Sequence, residues 1–152
     1  KLIIMPTFIN PFKSGFFADE KRRFAWAQRV WGDLKRVEIC DFEIRQNRPV
    51  PSIESVLYLQ KLYNPSKFYL IIGADHLQSL EKWHEFDRLN TLVEFIIAKR
   101  GKIAVPPNFK QLNTQIDISS SLIRANLSVS DICPQIADEA RRYYANLSKE
   151  TR

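Results

Sequence analysis

The stretch FYLIIGADHL, residues 68–77, limits the architecture of this chain more than any other. Five strand-forming apolar residues run up to Gly73, and a carboxylate and an imidazole follow at Asp75 and His76. An unbroken apolar run of that length suits a strand covered on both faces, as strands in parallel sheets are. Helical patterns flank it. Ser52 is read as the cap of a helix carrying Ile53, Val56, Leu57 and Tyr63, stopped by Asn64 and Pro65. After Asp75 a helical region continues through Trp83 to Leu92, with a break expected between His84 and Phe86.

The same alternation holds along the rest of the chain. Residues 1–5 read as a short strand ended by Pro6. Asp19 opens a helix with Phe24, Ala27, Val30 and Trp31 on one face, and Gly32 ends it. Residues 37–44 read as a strand whose apolar phase slips between Ile39 and Phe42, which predicts a bend or bulge. Residues 95–98 form another strand, 103–116 a loop, and helices start at Ser119–Ser120 and at Pro134. Strands alternating with helices predict an α/β fold: a Rossmann-like, open, mostly parallel sheet with helices on both faces, as a single domain over residues 1–152. In such sheets ligands bind beyond the carboxyl ends of the strands.

Composition narrows the function classes. No apolar run approaches the roughly 18 residues a membrane-spanning helix needs. Cys40 and Cys133 are two and far apart, neither a disulfide framework nor a metal cluster, and they fit a reducing, cytoplasmic setting. The net charge of +6 leaves two readings open: solvated helix faces such as DEKRR at 19–23, or an anionic partner. There is no Lys/Arg block that would favour nucleic acid. Glycines at 15, 32, 73 and 101 alone rule out both a G-x-G-x-x-G fingerprint and a Walker-A loop. The only histidines are His76 and His84, and no nucleophile–base pair stands out.

Three polar clusters each follow an apolar strand: Thr7 to Lys13, Gly73 to Asp75, and Lys99 to Arg100. Singly, Thr7 could serve a turn, Lys13 and Arg100 could be solvated, and Asp75 could cap a helix. Parallel strands would put all three on one rim. In DISSSLIR, residues 117–124, helix-start N–H groups, serine hydroxyls and Arg124 could together hold a phosphate, or the serines could be a plain cap. Trp83 reads equally as core or as a platform for a planar ring.

In order, IIMPT at 3–7, NPFK at 10–13, PSIES at 51–55, IIGADHLQSLEKW at 71–83, FIIAKRG at 95–101 and ISSSLIR at 118–124 resemble the bacterial nicotinate-nucleotide adenylyltransferases. These belong to the nucleotidyltransferase α/β phosphodiesterase superfamily. The likeness runs from Lys1 to about Leu147. It implies transfer of AMP from ATP, with Mg²⁺, to nicotinate mononucleotide, giving deamido-NAD and pyrophosphate without a covalent enzyme intermediate. It further implies that Gly73 and Asp75 hold the ATP ribose, and that Ser120, Ser121 and Arg124 hold its β- and γ-phosphates. Trp83 would stack on the pyridine ring, Thr7 and Ser52 would line the nicotinate pocket, and Lys13 and Arg100 would add positive charge. The family's H-x-G-H histidines, with the strand, turn and helix around them, are not in this sequence. Such a unit is about 20–25 residues at ordinary element lengths and would precede Lys1. The expectation is therefore an N-terminally incomplete chain with a missing central strand and impaired activity. Its rival is a non-catalytic nucleotide-binding remnant or interaction module. His76, outside any such motif, reads as a bystander at a helix start. Glu54 stands where the family usually has Asp, Ser121 where it often has Thr, and the KRG segment lacks the usual proline. The preference between nicotinate and nicotinamide stays open, as does oligomeric state, a homo-oligomer included.

Overall fold

The computed structural model describes residues 1–10, 15, 17–99, 103–113, 123 and 132–150, the side chains of 148–150 excepted. It divides into two compact units, Lys1–Val50 with Ile118–Arg152, and Pro51–Asp117.

In the first unit β1 (Leu2–Ile4) pairs in parallel with β2 (Val37–Ile39), Leu2 opposite Val37 and Ile4 opposite Ile39. The ladder ends where the Cys40 N–H donates to the Ile4 carbonyl at 2.9 Å. The strand expected to run through Ile44 therefore stops early, and Phe42–Arg45 forms a short helix, α2. The phase slip after Ile39 marks a change of period, not a bulge: the Arg45 N–H donates to the Asp41 carbonyl, and Arg45 Nε pairs with the Asp41 carboxylate, each at 3.0 Å.

Helix α1 spans Glu20–Trp31 between the predicted Asp19 and Gly32, and the Asp19 carboxylate accepts from the Arg22 N–H at 2.8 Å. That backbone bond, the largest influence on the carboxyl, holds its pKa below the usual range. Its buried residues are Trp26 and Ala27, whereas Trp31, placed on the inner face from sequence, is exposed. Trp26 is drawn in by the C-terminal helix α5 (Ala137–Glu150), which begins three residues after the expected Pro134. The Trp26 ring lies 5.9 Å from Tyr143 and 6.0 Å from Tyr144. Its Nε1–H donates to Glu139 Oε1 at 3.1 Å. Arg22 (3.3 Å) and Arg29 reach the same carboxylate, and the Tyr143 hydroxyl donates to the Phe17 carbonyl at 3.2 Å. Arg23 joins the loop after β1 to this helix, donating to the carbonyls of Phe8 (2.7 Å) and Ala18 (3.0 Å).

The second unit holds the larger core. A parallel sheet of order β3-β4-β5 comprises Tyr69–Gly73, Glu94–Ala98 and Lys110–Leu112. The last strand lies inside residues 103–116, which sequence alone reads as loop. Helix α3 (Ser52–Tyr63) ends as expected at Asn64, which adopts the left-handed conformation (φ 42°, ψ 54°) that asparagine tolerates at a helix end. Its start differs by one residue. Pro51 holds the cap position, its carbonyl accepting from the Glu54 N–H at 3.0 Å, so Ser52 is the first helical residue and not the cap. Ile53, Val56, Ile72, Ala74, Leu80, Leu89, Val93, Phe95 and Ile97 make one buried cluster. On β3, Ile72 enters that cluster while Tyr69 and Ile71 face the other way and are exposed.

Residues Ala74–Lys82 form a 3₁₀ helix, and the predicted break follows: Trp83 is extended, Glu85 is left-handed (φ 51°), and helix α4 runs Phe86–Leu92. A 3₁₀ helix repeats every three residues. Ala74, Leu77, Leu80 and Trp83 belong to or pack on the core at that interval, while Asp75, Gln78 and Glu81 are exposed. Among the described residues no helix is long and apolar enough to cross a membrane.

The Trp26 hydrogen bond first, then Arg29, holds the Glu139 carboxyl below the ordinary carboxylate range. A pKa lower in the folded than in the unfolded chain stabilises the fold above about pH 4.3, and the gain is lost as pH falls through the lowered value. Melting temperature should therefore fall as pH is lowered from about 5 to about 3, and fall less in Glu139→Gln, by thermal denaturation followed with circular dichroism.

Candidate active site

Two strands of the second unit end together. The register sets Gly73 opposite Ala98, so the GAD turn and the start of the KRG segment leave the sheet on one rim. Behind Ala98, the Lys99 N–H donates to the Leu112 carbonyl at 3.0 Å, tying that end of β4 to β5. The first turn of α3 contributes half-buried Ser52, at a position where backbone N–H groups have no partner within the helix. Its neighbour Ile53 belongs to the same buried cluster as Ile72 and Ala74.

At Gly73 the backbone is ordinary extended chain (φ −71°, ψ 150°), so conformation does not demand glycine. Space does. A β-carbon there would overlap Asp75 Oδ1, because the Asp75 carboxylate folds back over the bare Gly73 α-carbon. Gly73 occupies the cap position of the 3₁₀ helix and Asp75 is its second residue, so Asp75 is not the helix cap that sequence left open. The carboxylate is exposed, next to backbone with no side chain in the way. A group of hydroxyls could approach both at once, the carboxylate accepting two hydrogen bonds.

His76 and Trp83 extend this rim. His76 Cδ2 lies 4.0 Å from where a Gly73 β-carbon would be, and the imidazole meets the Trp83 indole at 5.6 Å between centroids with planes 80° apart. The Ser79 hydroxyl donates to the His76 carbonyl at 3.3 Å. Trp83 is half-buried, packed partly on the core, and its buried Nε1–H finds no acceptor among the described residues. Gly73, Asp75, His76 and Trp83 thus share one edge. His76, read from sequence as a bystander at a helix start, lies on this edge against Trp83.

The other expected site residues fall differently. Thr7 lies half-buried in the loop after β1, in the first unit. Lys13, Arg100, Ser120, Ser121 and Arg124 lie outside the described residues. Exposed His84 pairs with Glu85 (3.3 Å), which Arg88 also holds (2.9 Å).

A strand-end carboxylate over a bare glycine, on the rim of a parallel sheet, is the arrangement of a nucleotide-binding α/β protein. The sequence profile described as "Cytidylyltransferase-like" matches residues 1–126. A protein of Campylobacter jejuni strain 81-176 named "Probable nicotinate-nucleotide adenylyltransferase" is 63% identical over 149 residues, covering 98% of this chain and 82% of the relative. One of the same name from Campylobacter fetus is 47% identical over 144 residues, covering 95% and 80%. The fold also matches a solved Plasmodium falciparum nicotinic acid mononucleotide adenylyltransferase in complex with NaAD, with a TM-score of 0.73 at 19% identity, covering 94% of this chain and 82% of that one. The chain belongs to the nicotinate-nucleotide adenylyltransferase family.

Replacing Gly73 with alanine tests the local geometry directly. Alanine can adopt the Gly73 backbone, a change worth under about 1 kcal/mol where unstrained. Gly73→Ala should therefore leave the far-ultraviolet circular dichroism spectrum unchanged while shifting the Asp75 carboxyl ¹³C resonance. An unmoved resonance would show that the carboxylate does not lie over Gly73.

Proposed function

We propose that this protein transfers the adenylyl group of ATP to nicotinate mononucleotide, forming deamido-NAD and pyrophosphate in NAD biosynthesis. A phosphate oxygen of the mononucleotide bonds to the α-phosphorus, the bridge from that phosphorus to the β-phosphate oxygen breaks, and pyrophosphate leaves with the electron pair. The reaction needs no protein nucleophile. Positioning two anionic substrates and stabilising charge at the α-phosphate supply the acceleration. The divalent cation, Mg²⁺ in this reading, accompanies ATP as part of the substrate.

The observation that carries the proposal is the Asp75 carboxylate folded over Gly73 at the end of β3 in a member of this family. In this reading Asp75 accepts from the ATP ribose hydroxyls while the bare Gly73 backbone lets the sugar approach. Trp83, half-buried on the same edge, offers its ring to the pyridine of the mononucleotide, with Ser52 lining that pocket. Ser120, Ser121 and Arg124 hold the β- and γ-phosphates, and Lys13 and Arg100 add positive charge. A cytoplasmic location, where ATP is available, belongs to the same proposal.

Pyrophosphate release measured with ATP, Mg²⁺ and either nicotinate or nicotinamide mononucleotide decides the reaction. Turnover with the nicotinate form is expected. ATP binding without pyrophosphate release from either would favour a nucleotide-binding module instead. Asp75→Ala should raise the KM for ATP about tenfold or more, the effect of losing hydrogen bonds to a charged group worth roughly 1.5–3 kcal/mol. Its circular dichroism should match the parent protein, and unchanged kinetics would remove Asp75 from the ribose site.

A further inference from the structure

Among the described residues, nothing hydrogen-bonds to the Trp83 indole, whose Nε1–H is buried. The indole packs only partly on the core, so part of the ring is left to other contacts. The imidazole of His76 supplies one. It stands edge-on to the indole, 5.6 Å between centroids and 80° between planes, close to the perpendicular arrangement that aromatic rings favour. On its other side, His76 Cδ2 lies 4.0 Å from the β-carbon position of Gly73, the spot over which the Asp75 carboxylate also folds. The His76 main chain is fixed in turn, since its carbonyl accepts from the Ser79 hydroxyl.

We infer that His76 is a positioning residue: it braces the Trp83 indole and so sets the platform for the pyridine ring of the mononucleotide. The inference rests on the reading that Trp83 takes that ring. His76 touches no reacting atom and moves no proton in this role. Its action is steric and aromatic, so a phenyl ring at the same position can replace it, whereas a methyl group cannot. Because one imidazole lies between the Asp75–Gly73 edge and the indole, loss of the brace should be felt at the pyridine end far more than at the ribose end.

The test combines spectroscopy and kinetics on the full protein. Labelling with 5-fluorotryptophan gives ¹⁹F resonances for Trp26, Trp31 and Trp83, and Trp83→Phe assigns the last. His76→Ala should shift and broaden the Trp83 resonance alone, and His76→Phe should restore its sharpness. In steady-state assays His76→Ala should raise the KM for nicotinate mononucleotide about two- to tenfold, the range one aromatic pair supports. The KM for ATP should stay within about twofold, and His76→Phe should recover the parent value. An unmoved Trp83 resonance in His76→Ala would overturn the brace. An unchanged mononucleotide KM in His76→Ala, while Trp83→Ala raises it, would overturn the functional role of His76 and leave the Trp83 reading standing. If Trp83→Ala itself leaves that KM unchanged, the pyridine platform lies elsewhere and the role of His76 in it falls too.

Discussion

Parallel pairing between β3 and β4 is the constraint on which the second unit depends. Five consecutive pairs, from Tyr69–Glu94 to Gly73–Ala98, fix where both chains leave the sheet. Burial of Ile72 and Ile97 holds that register, since a slip of one residue would turn these side chains out of the core and their less buried neighbours in. With register fixed, the GAD turn and the segment after Ala98 must emerge side by side. The site edge is thus a by-product of hydrophobic packing directly below it.

The first unit is organised by a different device. One carboxylate, Glu139, gathers an indole N–H and two guanidinium groups from α1. These contacts join segments more than 100 residues apart in sequence, with one tyrosine edge-on and another tilted against the indole. An exposed ion pair alone would add little. Here the aromatic cluster does the packing, and the carboxylate gives Trp26 the hydrogen-bond partner that a buried indole needs.

Residues that pack with near neighbours were legible in the sequence, and residues chosen by distant ones were not. β3 and α3 show their periods locally, and the Asn64 stop and the break after Trp83 follow from turn and breaker chemistry. Trp26 escaped notice because its partners sit on the last helix, so the count along α1 favoured Trp31, which has no such partner among the described residues and stays exposed. β5 is three residues of no distinctive pattern and exists because the edge of β4 accepts it. At the site, Gly73 and Asp75 were marked by an abrupt change of residue type. The His76–Trp83 contact depends on how the intervening segment turns, which residue type does not disclose.

The 3₁₀ segment between Asp75 and Trp83 also restricts how such a chain can vary in length. With its side chains eclipsed at every third position, the apolar row and the exposed row keep constant phase along the whole element. Three added or lost residues would leave both rows where they are. One, two or four would rotate the indole away from the core and bring a polar side chain in. While this geometry persists, length in the segment changes by whole turns of three, and the separation between its acidic and aromatic ends is effectively quantised.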